Sequence, residues 1–390
     1  MLTKNIDFKN FTLKKDKILN TKVFRLLKNL LKEDNQIISS TTKNYENSYK
    51  RKIISKFKNK SIFVLIGMGG SILGAKAIFN FLSNKIKKRF VFIDNFQNKS
   101  SEFLKIKNKL NLVISKSGNT LETIVNSNVL IKKNNDNIFI TENKNSYLKS
   151  LANKLKAEVV YHNNFIGGRY SVLSEVGMLP AEFMGLSVKK FRRFNALVKK
   201  KTFINSIVQN VSNTLYLLKK KKFNSVILNY DDNSSDLFNW YQQLIAESLG
   251  KKSKGILPLI SSMPKDNHSL MQLYLDGPKN NYYTFFFIEN FSSKKLNNNN
   301  LLKSHLYLKN KNFGDIKKSQ FLATQKVFKK KNIPFRSFYI NKRNEETLGE
   351  LFTFFILETI LLGKVMGVNP YNQPSVELIK TETKKILLNT

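Results

Sequence analysis

From Lys60 onward, short runs of apolar residues alternate with longer stretches whose apolar positions recur every three or four residues. This alternation predicts parallel strands joined by crossover helices. Five strands are predicted first: SIFVLIG from Ser61, RFVFID from Arg89, LNLVIS from Leu110, NIFIT from Asn137 and AEVVY from Ala157. Together they make one doubly wound α/β domain. A long helical stretch from Val188 to the lysines ending at Lys222 leads to a second series: NSVILNY from Asn224, YYTFFFI from Tyr282 and FRSFYIN from Phe335. A second, similar α/β domain is therefore expected. The division falls between residues 1–195, with a core at about 60–185, and residues 196–390. The carboxyl end is predicted helical from Glu345 to Gly363 and again from Pro374, with Gly367, Pro370 and Pro374 as the break. The Asn-rich run ending at Asn300 is expected to be a surface loop.

Composition narrows the function classes. At 390 residues the chain fits about two or three domains, and 41% hydrophobic with 12% aromatic residues excludes a disordered composition. The absence of cysteine removes disulfides, thiolate nucleophiles, Cys-bound zinc and iron–sulfur clusters. The amino terminus alternates charged or polar residues with single apolar ones and has no apolar signal core, so a cytoplasmic location is expected. The most apolar stretch, FTFFILETILLG from Phe352, is interrupted by Thr353, Glu358 and Thr359, so no membrane helix is predicted. The formal net charge of +40 raises the question of nucleic acid. The lysines, however, are scattered in twos and threes along the whole chain, which fits a solvated surface that steers an anionic ligand, with no specific nucleic-acid partner.

Candidate chemistry begins where predicted strands hand over to helices. The first strand ends in Gly67-Met68-Gly69-Gly70-Ser71-Ile72-Leu73-Gly74, a turn whose glycines let backbone N–H groups approach an anion. It has neither the Gly-x-Gly-x-x-Gly spacing of a dinucleotide site nor the Gly-Lys-Ser/Thr ending of a nucleotide phosphate loop. The third strand ends in Ser115-Lys116-Ser117-Gly118-Asn119-Thr120-Leu121-Glu122-Thr123. A helix cap needs one hydroxyl and this junction has four, so a cluster suited to a phosphate dianion is expected, with Lys116 adding charge.

These segments, with GGRYSVLSEVGMLP from Gly167, AESLGK around Glu247, DNHSLMQLYLDGP from Asp266 and NQPSVELIK ending at Lys380, resemble the glucose-6-phosphate isomerase family in kind and order. The resemblance runs from about residue 60 to residue 380. It implies an α/β fold of two doubly wound, parallel-sheet sugar-isomerase (SIS) domains with a C-terminal helical segment. It also implies reversible isomerisation of glucose 6-phosphate and fructose 6-phosphate through a cis-enediol, as in glycolysis and gluconeogenesis, with neither metal nor organic cofactor. Carried over, Ser115, Lys116, Ser117 and Thr120 would hold the phosphate, and Gly70 and Ser71 would line the sugar. Glu247 matches the catalytic base, and Arg169 the cation that stabilises the enediolate. His268 and Lys380 match the groups that open the sugar ring, and Gln243 and Gln373 the glutamines near phosphate and sugar. The expected partners are a small sugar phosphate and a second copy of the chain, a homodimer in which His268 reaches the partner's site.

His162 and His305 match no motif and receive no role. Where the family has Asp-Gln-x-Gly-Val-Glu, this chain has Asn372, Gln373, Pro374, Ser375, Val376 and Glu377, which loosens the placement of Lys380. The competing expectations are an isomerase that also accepts mannose 6-phosphate and a non-catalytic sugar-phosphate-binding SIS protein.

Overall fold

The structure, a computed structural model, describes residues 1–13, 16–96, 108–289 and 293–389. Ten strands form among them: β1 (Ile6–Lys9), β2 (Ile62–Gly67), β3 (Arg89–Ile93), β4 (Lys109–Ile114), β5 (Asp136–Thr141), β6 (Glu158–Tyr161), β7 (Asn224–Asn229), β8 (Leu257–Ser262), β9 (Asn281–Ile288) and β10 (Phe335–Ile340). They make two five-stranded sheets, β3-β2-β4-β5-β6 and β1-β10-β9-β7-β8. Every pairing is parallel except that of β1 with β10. Helices therefore cross over between neighbouring strands and cover the sheets. The central strands are buried along nearly their whole length, which is why they appear in the sequence as continuous apolar runs.

All five expected strands of the first sheet form, and so do the three expected in the second. Two further strands complete the second sheet. β8 lies at an edge and carries Pro258, and its sequence LPLISS lacks the apolar run that marks the inner strands. β1 presents alternating buried residues, Ile6 and Phe8, and pairs antiparallel with β10 from Ile6–Ile340 to Lys9–Ser337. Thr3 Oγ1 adds a 2.7 Å hydrogen bond to Glu350 Oε2, so the first residues are fastened to the second sheet and its long helix.

That helix, Glu345–Met366, is buried from Thr347 through Gly363 and ends at Gly367, which takes a left-handed φ of 70°. It is a core helix, and among the described residues no helix is long and apolar enough to cross a membrane. Beyond the predicted break, residues 370–373 turn back toward the sheets and a last helix follows, Val376–Asn389, none of whose residues is buried. The run expected as one helical stretch from Val188 divides into Val188–Phe191, Phe194–Val198 and Lys201–Lys219. Asn298–Asn300 forms a single exposed turn within the expected surface loop.

Candidate active site

In an open parallel sheet, ligands bind beyond the carboxyl ends of the strands where strand order reverses. Here that point lies between β2 and β4, since the chain goes outward from β2 to β3 and then returns to the other side. The two loops singled out in the sequence leave these two strands. After β2, Gly69 takes a φ of 51°, and a Cβ there would lie 2.7 Å from Gln243 Nε2. A Cβ on Gly70 would lie 2.1 Å from the Gly168 carbonyl carbon, so this turn and the Gly167-Gly168-Arg169 turn pack backbone to backbone. Ser71 is half-buried beside them.

After β4, the hydroxyls of Ser115 and Thr120 are 2.8 Å apart. Thr120 stands at the cap position of the helix Leu121–Leu130 without making a side-chain cap bond, so its hydroxyl is directed to the cluster. Ser117 is exposed and accepts from the Asn119 N–H at 3.2 Å, while Thr123 is buried. Gly118 has a φ of 67°, and a Cβ there would lie 2.2 Å from Ser146 Oγ, which reserves the corner for glycine. Lys116 turns its ammonium toward Asn164 O at 2.8 Å and Glu142 Oε1 at 3.4 Å. Part of its charge is thus already answered by a carboxylate.

The opposite wall comes from the second sheet. The helix Ser235–Leu249 follows β7, and Trp240, Gln243 and Glu247 share one of its faces by their three- and four-residue spacing. Trp240 Nε1 donates to Arg169 O at 3.0 Å, and Gln243 Nε2 donates to Glu247 Oε1 at 2.8 Å. Glu247 Oε2 accepts from Arg169 Nη1 at 3.1 Å, and the glutamate side chain keeps 27% of its surface exposed. A buried cation therefore adjoins an accessible carboxylate.

Arg169 is 1% exposed and its guanidinium is fully engaged. Nε donates to Ser248 Oγ at 2.8 Å, Nη1 to Glu247 and to Gln373 Oε1 at 2.5 Å, and Nη2 to Pro370 O at 2.8 Å and Asn372 O at 3.1 Å. Its five N–H donors have five acceptors, so its position is set from all sides. Tyr170 supports the same corner through Ser248 Oγ at 2.9 Å and Pro370 O at 3.0 Å, and burial pushes its hydroxyl up to about 12. Lys251 closes the Glu247 helix by donating to Glu247 O and Ser248 O, each at 2.7 Å. Burial, reinforced by the Arg169 charge, lowers its ammonium to about 8.

The structure thus gathers Glu247, Arg169, Gln243, Gln373 and Gly70 at one point, with Ser115 and Thr120 paired on the neighbouring loop. Two expected residues are not brought to that point within one chain. His268 ends the short turn Lys265–His268 after β8 and is exposed, and Lys380 is exposed with Nζ 2.7 Å from Glu377 Oε1. Among the described residues no group of three or more His, Asp or Glu side chains is placed to hold a metal ion. The supports that sequence reasoning did not name are Trp240, Ser248, Tyr170 and Lys251. Ser248 and Lys251 lie within the AESLGK segment, so that motif was the available signal.

A family model described as phosphoglucose isomerase matches residues 36–259. The glucose-6-phosphate isomerase of Methanocaldococcus jannaschii is 33% identical over 361 residues, covering 87% of this chain and 86% of that protein. That of Campylobacter jejuni is 32% identical over 344 residues, covering 83% and 84%. Two solved structures share the fold. A hypothetical protein of Thermus thermophilus has a TM-score of 0.81 at 24% identity over 95% of each chain. A glucose-6-phosphate isomerase of Chlamydia trachomatis has 0.77 at 18% identity over 99% of this chain and 89% of that one.

Proposed function

On the premise that this chain belongs to the phosphoglucose isomerase family and is an aldose–ketose isomerase, we propose how its residues divide the interconversion of glucose 6-phosphate and fructose 6-phosphate. The observation that carries the assignment is the accessible Glu247 carboxylate, oriented by Gln243 and adjoining the buried Arg169 guanidinium. Aldose–ketose interconversion removes a proton from the carbon beside a carbonyl and returns it to the neighbouring carbon. One carboxylate on one face of a planar cis-enediol performs both transfers. Glu247 takes the proton from C2 of the open-chain aldose and delivers it to C1. Arg169 supplies a fixed charge where negative charge develops on the enediolate oxygens, a contribution of about 10² to 10³ in rate.

The phosphate is held after β4 by Ser115, Ser117 and Thr120, with Lys116 adding charge, and Gly70 and Ser71 after β2 line the sugar. Gln243 and Gln373 orient the base and the guanidinium and meet the sugar hydroxyls. His268 assists ring opening from a second copy of the chain, a reading supported by its exposure at the end of the turn after β8. Lys380 joins it when the terminal helix is docked. The chain works as a cytoplasmic homodimer in glycolysis and gluconeogenesis, each protomer built as two SIS domains dividing near residue 195, except that the first strand lies in the second sheet.

The test is turnover of fructose 6-phosphate by purified protein, followed through a coupling dehydrogenase specific for glucose 6-phosphate. Turnover in the wild type, with Glu247→Gln binding substrate nearly as before but slowed about 10² to 10⁴, is the expected result. A near-normal rate in the variant would assign the base elsewhere.

A further inference from the structure

The proton shuttle makes no direct use of His162, yet its surroundings are among the most constrained in the molecule. His162 is 3% exposed and Glu175 is 1% exposed. His162 Nδ1 lies 2.6 Å from Glu175 Oε1, and Nε2 lies 2.9 Å from Ile166 O. Both neighbours are acceptors. Through its two ring nitrogens His162 thus bridges a buried carboxylate and a backbone carbonyl. Glu175 Oε1 also accepts from the Asn163 N–H at 2.9 Å, and Oε2 from the Tyr45 hydroxyl at 3.0 Å. Burial alone would push the Glu175 carboxyl up; the hydrogen bond and charge of His162 hold it below its usual value. Around the pair, Arg192 donates to Tyr45 O and to Asn47 Oδ1 at 2.7 Å, and Tyr49 donates to Glu182 Oε1 at 3.0 Å.

The Ile166 carbonyl is where this cluster reaches the active site, because the next residues are Gly167, Gly168 and Arg169. The turn continues with the Tyr170 N–H donating to Gly167 O at 2.9 Å, and its Gly168 backbone lies so close to Gly70 that a methyl group on Gly70 would collide with it. A shift of Ile166 therefore passes directly to Arg169. We propose that His162 and Glu175 are positioning residues which clamp the Ile166 carbonyl and thereby set the Arg169 guanidinium against Glu247. The inference rests on the isomerase reading above.

Two substitutions separate this role from simple packing. The amide nitrogen of Asn stands near the place of Nδ1, and that of Gln near the place of Nε2. His162→Asn thus keeps the Glu175 partner and loses Ile166, while His162→Gln keeps Ile166 and leaves Glu175 with only the Asn163 N–H and the Tyr45 hydroxyl. His162→Asn is expected to melt at the higher temperature but to lose about 10- to 10²-fold in kcat. Its KM should change less than about threefold, since the phosphate hydroxyls stand on other loops. His162→Gln is expected to melt lower yet retain more of kcat per folded molecule. A kcat order that follows the melting order, or equal kcat in both, overturns the proposal.

Hydrogen exchange of the Tyr170 amide gives a readout independent of turnover, with exchange about tenfold faster in His162→Asn than in His162→Gln. Equal exchange overturns the clamp even in a protein without activity, whereas a wild type that binds but does not turn over sugar phosphate overturns only the isomerase reading. If neither variant folds, Tyr45→Phe removes just the hydroxyl bonded to Glu175 Oε2. Severalfold faster Tyr170 exchange supports the clamp, and unchanged exchange refutes it.

Discussion

The proton-shuttle corner and the two ring-opening candidates differ sharply within one chain. Around Arg169 every donor is taken, and the acceptors come from the glutamate helix and from residues 370–373. His268 and Lys380 stand in solvent, the first at the end of a turn and the second on a helix with no buried residue. Yet the His268 turn is itself well fastened. Asp266 accepts from Ser262 N at 2.7 Å, Ser261 Oγ at 2.8 Å and Ser269 Oγ at 3.0 Å, and although burial opposes it, these bonds hold its carboxyl below the usual range. An exposed histidine on a well-fastened turn fits the proposal of a group preorganised for a second subunit. On the proposed assignment, the isomerising groups are gathered within one chain while the ring-opening histidine is offered to a neighbour.

Substitutions that break the completed corner should cost most. Beyond Glu247→Gln, the next largest effect is expected for Arg169→Lys. Lysine keeps the charge but loses the fork that reaches Ser248, Glu247, Gln373 and Pro370 together, and kcat should fall about 10² to 10³. A smaller fall would mean that charge alone suffices and that the saturated geometry is incidental. His268→Gln sharpens the contrast. It should slow fructose 6-phosphate by about 10² while hardly affecting a tetrose 4-phosphate, whose phosphate blocks ring closure. An equal loss on both substrates would place His268 in the proton shuttle. Thr120→Val should act through affinity, raising KM more than it lowers kcat; unchanged KM would move the phosphate elsewhere.

The smallest effect concerns stability. Lys251 has a folded value of about 8 against an ordinary 10.5, so between those pH values the unfolded chain holds a proton that the folded chain has released. Its contribution to stability therefore rises with pH across that window and is flat below it. Replacing Lys251 by Met should remove that rise in melting temperature. An unaltered pH dependence would show that the ammonium stays charged against the Glu247 and Ser248 carbonyls.

Much of this was legible in the chain, but unevenly. Inner strands such as β4 and β9 announce themselves because both faces are covered and apolar residues run on without a break. β1 and β8 sit at sheet edges, where one proline or one alternation of charge is enough to hide a strand. Arg169 and Glu247 lie 78 residues apart, and only the motif around each pointed to their meeting. No local pattern joins His162 to Glu175, because a buried hydrogen-bonded pair depends on how a turn folds back and not on residue spacing. Lys380 follows a proline break and stands on a helix none of whose residues is buried, so its motif fixes its identity and not its place.

The pairing of β1 with β10 also orders events in time. Ile6 leaves the ribosome well ahead of its partner Ile340, with the whole first sheet synthesised between them. At about 5–20 residues per second, synthesis of the intervening chain occupies roughly 15–70 seconds. During that interval the first sheet has all its strands and can close, while the amino-terminal segment waits unpaired. The last sheet then takes up the first strand as its outer edge, so a nascent chain stalled before residue 340 would carry a folded first half and a loose, protease-sensitive leading end.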